Sequence, residues 1–254
     1  MQIIAIINQK GGVGKSTSAL SLGAGLALAG KFVLFVDMDA QGNLSHTLQA
    51  GPGPSSMDVL MGMPASQAIQ YTPYHVIPSS PSLTAADATI TQTGKEYRLK
   101  EALGALEKAS CYDYVIIDTP PALGILTVNA LTACHGLIIP AQADIYSLQG
   151  ISQLYGTVDT VRRYCNPGLR VLGILLTRYN GRAVIGREAG EMIEQTAAGL
   201  NTKVFASRVR ECTAIKESQA MRRSIFDYAP RSNAAADYAA VVDEILMDSP
   251  RRPS

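Results

Sequence analysis

No stretch of the chain approaches the roughly 18 consecutive apolar residues of a membrane-spanning helix, so a helical membrane protein is not expected. The sequence also lacks an excess of charge. Its 22 Lys and Arg offset 21 Asp and Glu for a net of +1. No global basicity therefore points to nucleic acid, and any such surface must be local. Cysteine is scarce. Cys111, Cys134, Cys165 and Cys212 are far apart, with no C-x-x-C pair, which disfavours a disulfide framework, a zinc site or an iron–sulfur cluster. The start has no charged segment followed by an apolar one, so no signal peptide is expected and the cytoplasm is the predicted compartment. There is no internal repeat and no low-complexity tract. What remains is 254 residues, 47% hydrophobic and 17% charged. This suits one large α/β domain over residues 1–254 with a sizeable core, and about 249–254 as a frayed tail.

The most informative stretch runs from Asn8 to Thr17. The residues before it, 2–7, form a β-branched apolar run, as a buried parallel strand should. Those after it, 18–29, are small, Ala/Leu-rich and free of proline, which reads as a helix. A glycine-rich loop between strand and helix is the context of a phosphate loop. Gly11, Gly12 and Gly14 lack Cβ atoms, so backbone N–H groups can approach phosphate oxygens. The helix N-terminus adds its dipole. Lys15 is placed to reach the β- and γ-phosphates, the Ser16 hydroxyl to bind Mg²⁺, and Thr17 to donate beside it.

Strand and helix alternate through the rest of the chain, with strands expected at 31–36, 75–78, 114–118, 136–140, 170–177 and 203–205. Helices are expected near 57–61, 83–90, 96–109, 147–164 and 183–198, and at 233–247 behind a Ser232 cap. The pattern predicts a doubly wound, mostly parallel sheet with helices on both faces. One strand ends in Asp37-Met-Asp39 and another in Asp118-Thr-Pro-Pro121. Acidic residues at the carboxyl ends of parallel strands lie where open α/β sheets bind ligands. Alone, Asp37 and Asp39 read equally well as turn-capping residues. Asp118 pairs with the upstream phosphate loop as a carboxylate beside Mg²⁺ or its water.

The loop departs from G-x-x-x-x-G-K-[ST], because Gln9 stands where the first glycine belongs and a second lysine, Lys10, precedes Gly11. Lys-Gly-Gly-x-Gly-Lys-Ser resembles the deviant Walker-A ATPases, which include the ParA/Soj partition proteins, MinD and the nitrogenase iron protein. The resemblance implies a P-loop NTPase fold that binds ATP and Mg²⁺ through Lys10, Gly11, Gly12, Val13, Gly14, Lys15, Ser16 and Thr17. It implies that Lys10 reaches across an ATP-sandwich homodimer to the partner's nucleotide. Asp37-Met-Asp-Ala-Gln-Gly-Asn43 is similar to the family's D-x-D-P-Q-G-N switch, with Ala40 in place of proline. By that match Asp39 positions the attacking water, Asp37 supports the magnesium, and Lys10 and Lys15 offset transition-state charge. The adenine pocket is implied near Thr177, Val209 and Arg210.

Residues 203–223 carry six cations against Glu211 and Glu217, with Arg182 and Arg187 just upstream. Composition alone makes this a solvated surface with ordinary ion pairs. The segments 204–217 and 224–238 resemble the C-terminal signature of Soj-type ParA proteins, so the resemblance covers nearly the whole chain. It implies non-specific double-stranded DNA held in the ATP state by Arg182, Arg187, Arg208, Arg210, Lys216, Arg222 and Arg223. It also implies slow hydrolysis stimulated by a ParB-like partner, and a nucleoid-associated location. No N-terminal extension that could hold a helix-turn-helix is expected. The end of the chain is not a basic amphipathic helix, so no membrane targeting is expected. Three other readings stay open. They are a related ATPase that positions a protein cargo, a metabolic P-loop ligase of the dethiobiotin-synthetase type, and, last, a redox role that lacks suitably placed cysteines.

Overall fold

The computed structural model describes residues 1–181 and 184–248. Strand β1, Gln2–Ile6, buries Ile3 to Ile6, as a strand covered on both faces must. The glycine loop leads into α1, Lys15–Leu28, and then β2, Val33–Asp37. An excursion follows through α2 (Asn43–Thr47), α3 (Ser56–Leu60) and α4 (Ala65–Ala68). It returns through the short hairpin β3 (Gln70–Tyr71) and β4 (His75–Ile77). Next come α5 (Ala86–Thr89), α6 (Arg98–Lys108), β5 (Tyr114–Asp118) and α7 (Ile125–Ala133). β6 (Gly136–Ala141), α8 (Ile145–Tyr164) and β7 (Arg170–Leu176) complete the sheet. α9 (Val184–Gly199), α10 (Thr213–Ala220), α11 (Ile225–Tyr228) and α12 (Asn233–Asp248) close the chain.

The sheet order is β3-β4-β2-β5-β1-β6-β7. Every pairing is parallel except β3 with β4. Helices cover both faces, so the core is double. Ile3 and Ala5 of β1 join the layer that buries Leu99, Leu103 and Leu106 of α6. Ile4 and Ile6 join the layer that holds Leu22 of α1 and Tyr238 of α12. α1 lies very close to β2. A Cβ added at Gly23 would sit 2.3 Å from the Phe35 ring. That close approach seats the middle of α1 on the middle of β2.

Most expected elements are present within a residue or two. Gly30 ends α1 in the left-handed region, φ 77°, with Lys31 N–H donating to Leu26 C=O at 3.1 Å, the usual glycine stop. Ser232 caps α12, its Oγ accepting from Ala235 N–H at 3.2 Å. The strand expected at 203–205 is a correction. Only Val204 bridges Ile174. Glu244 captures the next two amides, Ala206 N–H at 3.1 Å and Ser207 N–H at 2.7 Å, so the ladder stops there. The expected tail at 249–254 lies outside the described residues.

Candidate nucleotide site

β5 lies between β1 and β2, so Ile6, Asp118 and Asp37 are level at the carboxyl end of the sheet. The loop from Asn8 to Gly14 crosses this end. Asn8 is buried and pins the loop, donating from Nδ2 to Pro140 C=O at 2.7 Å and accepting from Lys10 N–H at 2.9 Å. Gly12 and Gly14 have φ of 75° and 87°. Side chains rarely adopt that region, and a Cβ at Gly11 or Gly12 would meet open space. The loop therefore presents bare backbone to the cleft, at the N-terminus of the 14-residue α1. That is an anion site by geometry and dipole together.

Lys15 is 7% exposed and donates to Lys10 C=O at 3.3 Å. Burial pulls its ammonium below the ordinary value, while Asp118 and Asp39 act to raise it. Asp37 and Asp118 are both fully buried. Asp37 accepts from Asp39 N–H at 3.1 Å, Ser45 N–H at 2.8 Å and Ser45 Oγ at 2.7 Å. Burial nevertheless pushes its carboxyl up to about 6, with Asp39 adding to the rise. Among the described residues, neither oxygen of Asp118 has a hydrogen-bond partner. Burial, then the charge of Asp37, hold it well above the carboxylate range, although the Ser16 hydroxyl is near enough to oppose this. A buried carboxylate without donors is costly unless a cation meets it. With Ser16 beside it, this oxygen-donor set fits a hard divalent ion.

These groups open on a cleft of about 570 Å³. Gly11, Lys15, Ser16, Thr17 and Asp39 line one side, and Thr177, Val209 and Lys216 the other. Thr177 Oγ1 donates to Val13 C=O at 2.8 Å and ties β7 to the loop. α10 forms a wall through Ile215, Lys216 and Gln219. Gln219 Nε2 donates to Thr17 Oγ1 at 2.7 Å. Lys10 points elsewhere, its Nζ 2.5 Å from Asp144 Oδ2, at the N-terminus of α8. The sequence reading missed Asp144 and Gln219. Asp144 did carry a signal, because it follows an apolar strand end as Asp118 does.

The proposed DNA contacts have different surroundings. Lys216 lines the cleft. Arg208 donates to Glu194 and to the Tyr179 hydroxyl, each at 2.6 Å. Arg210 forks onto Asp237, with NH2 at 2.6 Å and Nε at 3.0 Å, and is not among the residues lining the cleft. Arg222 and Arg223 line a second groove beside α1 and α2. Arg187 is exposed on α9. Arg182 lies outside the described residues. The ion pairs of Arg208 with Glu194 and Arg210 with Asp237 are what composition alone led one to expect of this segment.

A parallel sheet with a glycine loop, a buried lysine and two strand-end aspartates around one cleft defines a phosphate-loop nucleotide-binding protein. A family profile described as an AAA domain matches residues 1–171. The chain is 38% identical to the chromosome partitioning protein ParA of Myxococcus xanthus, covering 99% of this chain and 90% of the relative. It is 37% identical to the chromosome-partitioning ATPase Soj of Thermus thermophilus, covering 96% and 94%. The crystal structure of cobyrinic acid a,c-diamide synthase from Mycobacterium smegmatis, with bound ATP analog and magnesium, superposes with a TM-score of 0.83 at 33% identity, covering 97% and 94%. The chain belongs to the ParA/MinD family of partition ATPases. Among the described residues, no helix is long and apolar enough to cross a membrane.

Proposed function

We propose that this chain is an ATP-driven dimeric switch that holds duplex DNA non-specifically and moves it with a ParB-like partner. Asp118 carries the reading. It is a fully buried carboxylate with no hydrogen-bond donor among the described residues, and it is the register partner of Asp37. Mg²⁺ with ATP suits it, held by the Ser16 hydroxyl and Asp118, with Asp37 fixed behind by Ser45. The ion supplies charge neutralisation to the phosphates. Lys15 holds the γ-phosphoryl oxygens, Asp39 orients the attacking water, and Thr177 and Val209 border the base. Lys10 leaves Asp144 and reaches a second copy's nucleotide, which makes the closed dimer depend on ATP. Slow hydrolysis, hastened by the partner, reopens it. Arg187, Arg222 and Arg223 contact DNA phosphates, and the protein works on the nucleoid in the cytoplasm. The partition names of the relatives support this reading, as does the bound ATP analog and magnesium of the M. smegmatis protein.

The test is binding to unrelated duplexes with ATP, ADP or no nucleotide, using wild type and Arg222→Ala/Arg223→Ala. Binding that requires ATP, ignores sequence, falls with salt and weakens in the double variant is expected. Binding in no state removes the DNA role. A second reading, a metabolic ATP-dependent ligase, is favoured by the name of the M. smegmatis structure. ATP turnover indifferent to DNA and to a partner protein would support it.

A further inference from the structure

Arg222 stands where the backbone does not favour it. It follows α10 with φ 51°. Its N–H donates to Gln219 C=O at 3.1 Å and Arg223 N–H donates to Ser218 C=O at 2.9 Å. This is the helix stop that glycine fills without strain, and a larger residue there costs on the order of 1 kcal/mol. The side chain is turned back toward the nucleotide cleft. Its Nε donates to His46 Nε2 at 3.1 Å. Gln49 Nε2 holds the Arg222 carbonyl at 3.2 Å, and Gln49 is itself left-handed at φ 61°.

His46 belongs to α2, which starts four residues after Asp39, and it lines the nucleotide cleft. Arg222 lines the separate groove beside α1. The 3.1 Å bond therefore joins the switch segment to the basic surface. The C-terminal end of α10 also meets the glycine loop, since Gln219 bonds Thr17. Arg223 is engaged differently, with its guanidinium donating to Asp227 C=O at 2.5 Å.

We propose that His46, which lines the nucleotide cleft, is a positioning residue that competes with DNA phosphate for the Arg222 guanidinium and so links the switch segment to DNA binding. This rests on the reading that the cleft takes ATP and that Arg222 contacts DNA. One hydrogen bond to a charged donor is exchanged for a phosphate contact when DNA binds. The bond therefore acts on a specific guanidinium, apart from any dimer closure.

The experiment measures binding to a fluorescent random-sequence duplex at fixed salt, without nucleotide and with saturating ATP. The proteins are wild type, His46→Ala, His46→Gln, Arg222→Gly and His46→Ala/Arg222→Gly. Glycine at 222 relaxes the backbone, so that variant keeps the fold. Nucleotide-free affinity is expected to rise about tenfold in His46→Ala, the factor one such bond is worth. It should stay near wild type in His46→Gln, whose amide oxygen still accepts from Arg222, and the gain should vanish in the double variant. Unchanged nucleotide-free binding in His46→Ala, with Arg222→Gly still weakening the ATP state, overturns the latch and leaves the DNA surface intact. A rise that persists in the double variant overturns it too, because the freed group is then not Arg222. ATP-state binding indifferent to Arg222→Gly overturns the proposal through the surface itself.

Discussion

Asp37 and Asp118 are register partners on adjacent parallel strands, both fully buried, and they differ completely in company. Asp37 takes three hydrogen bonds from Asp39 and Ser45, whereas Asp118 takes none among the described residues. Neighbouring carboxylates disfavour joint ionisation, and after burial the charge of Asp37 is what raises Asp118. The strand ends therefore store an electrostatic cost that a cation between the loop and β5 removes.

Removing that cost without the cation should stabilise the empty protein. Asp118→Asn is expected to raise the unfolding free energy by ~1–3 kcal/mol, the range for an unsatisfied buried group. Urea unfolding without nucleotide or Mg²⁺ reads this directly. The same variant should lose Mg²⁺-dependent ATP turnover. A less stable Asp118→Asn protein would show that the carboxylate is not the strained member of the pair.

The pH dependence has a definite sign. Asp37 is raised from 3.8 to about 6, so the folded chain keeps a proton that the unfolded chain has lost. Its contribution to stability is fully present below 3.8 and is lost as pH rises through about 6. Bound Mg²⁺ favours the ionised form and reverses the preference. The Mg²⁺-dependent part of nucleotide affinity is thus expected to fall about tenfold from pH 7.5 to pH 5, after correction for the nucleotide's own protonation. Titration calorimetry at the two pH values measures it, and a flat profile would count against Asp37 as a supporter of the metal.

Lys10 and Asp144 are a half-exposed pair, and such pairs are worth little, about 0–1 kcal/mol. The pair is therefore a resting place that Lys10 can leave. Lys10→Ala is expected to bind ATP within a few-fold of wild type and yet sediment as a monomer at saturating ATP. Asp144→Asn keeps an acceptor for the Ser147 N–H that caps α8 and should still dimerise. Dimerisation of Lys10→Ala would remove its role in the partner's site.

Asp39 is 8% exposed, lines the cleft and accepts from Gln41 N–H at 3.0 Å. Asp39→Ala leaves the glycine loop and Lys15 in place. ATP binding should persist, turnover should fall by at least about 10², typical for a lost general acid–base or orienting group, and the protein should remain on DNA. Normal hydrolysis by Asp39→Ala sinks this assignment.

The sequence was most legible where local chemistry is self-sufficient. The apolar run before Gly11, the aspartates ending β2 and β5, and Ser232 before α12 each state their role within a few residues. α10 was not legible, because its N-cap Cys212 makes no side-chain cap bond and its face is shaped by the cleft. The strand expected at 203–205 failed because Glu244, far along the chain, takes the amides that would have extended it. Arg208 and Arg210 were expected to make ordinary ion pairs, but their partners, Glu194 and Asp237, stand 14 and 27 residues away and could not be named from local sequence. Each miss is a tertiary partner that composition cannot show.

The margins of the sheet limit how copies of this chain can meet. One edge is β3, two residues long and antiparallel to its neighbour. The opposite edge, β7 and the residues after it, is partly taken by the bridges at Val204 and Arg210. Neither margin offers the long unpaired ladder that templates cross-chain strand addition. Among the described residues a continuous shared sheet is thus a poor route to self-association, and the dimer proposed above would join through loops and helices, which can part again without breaking a strand.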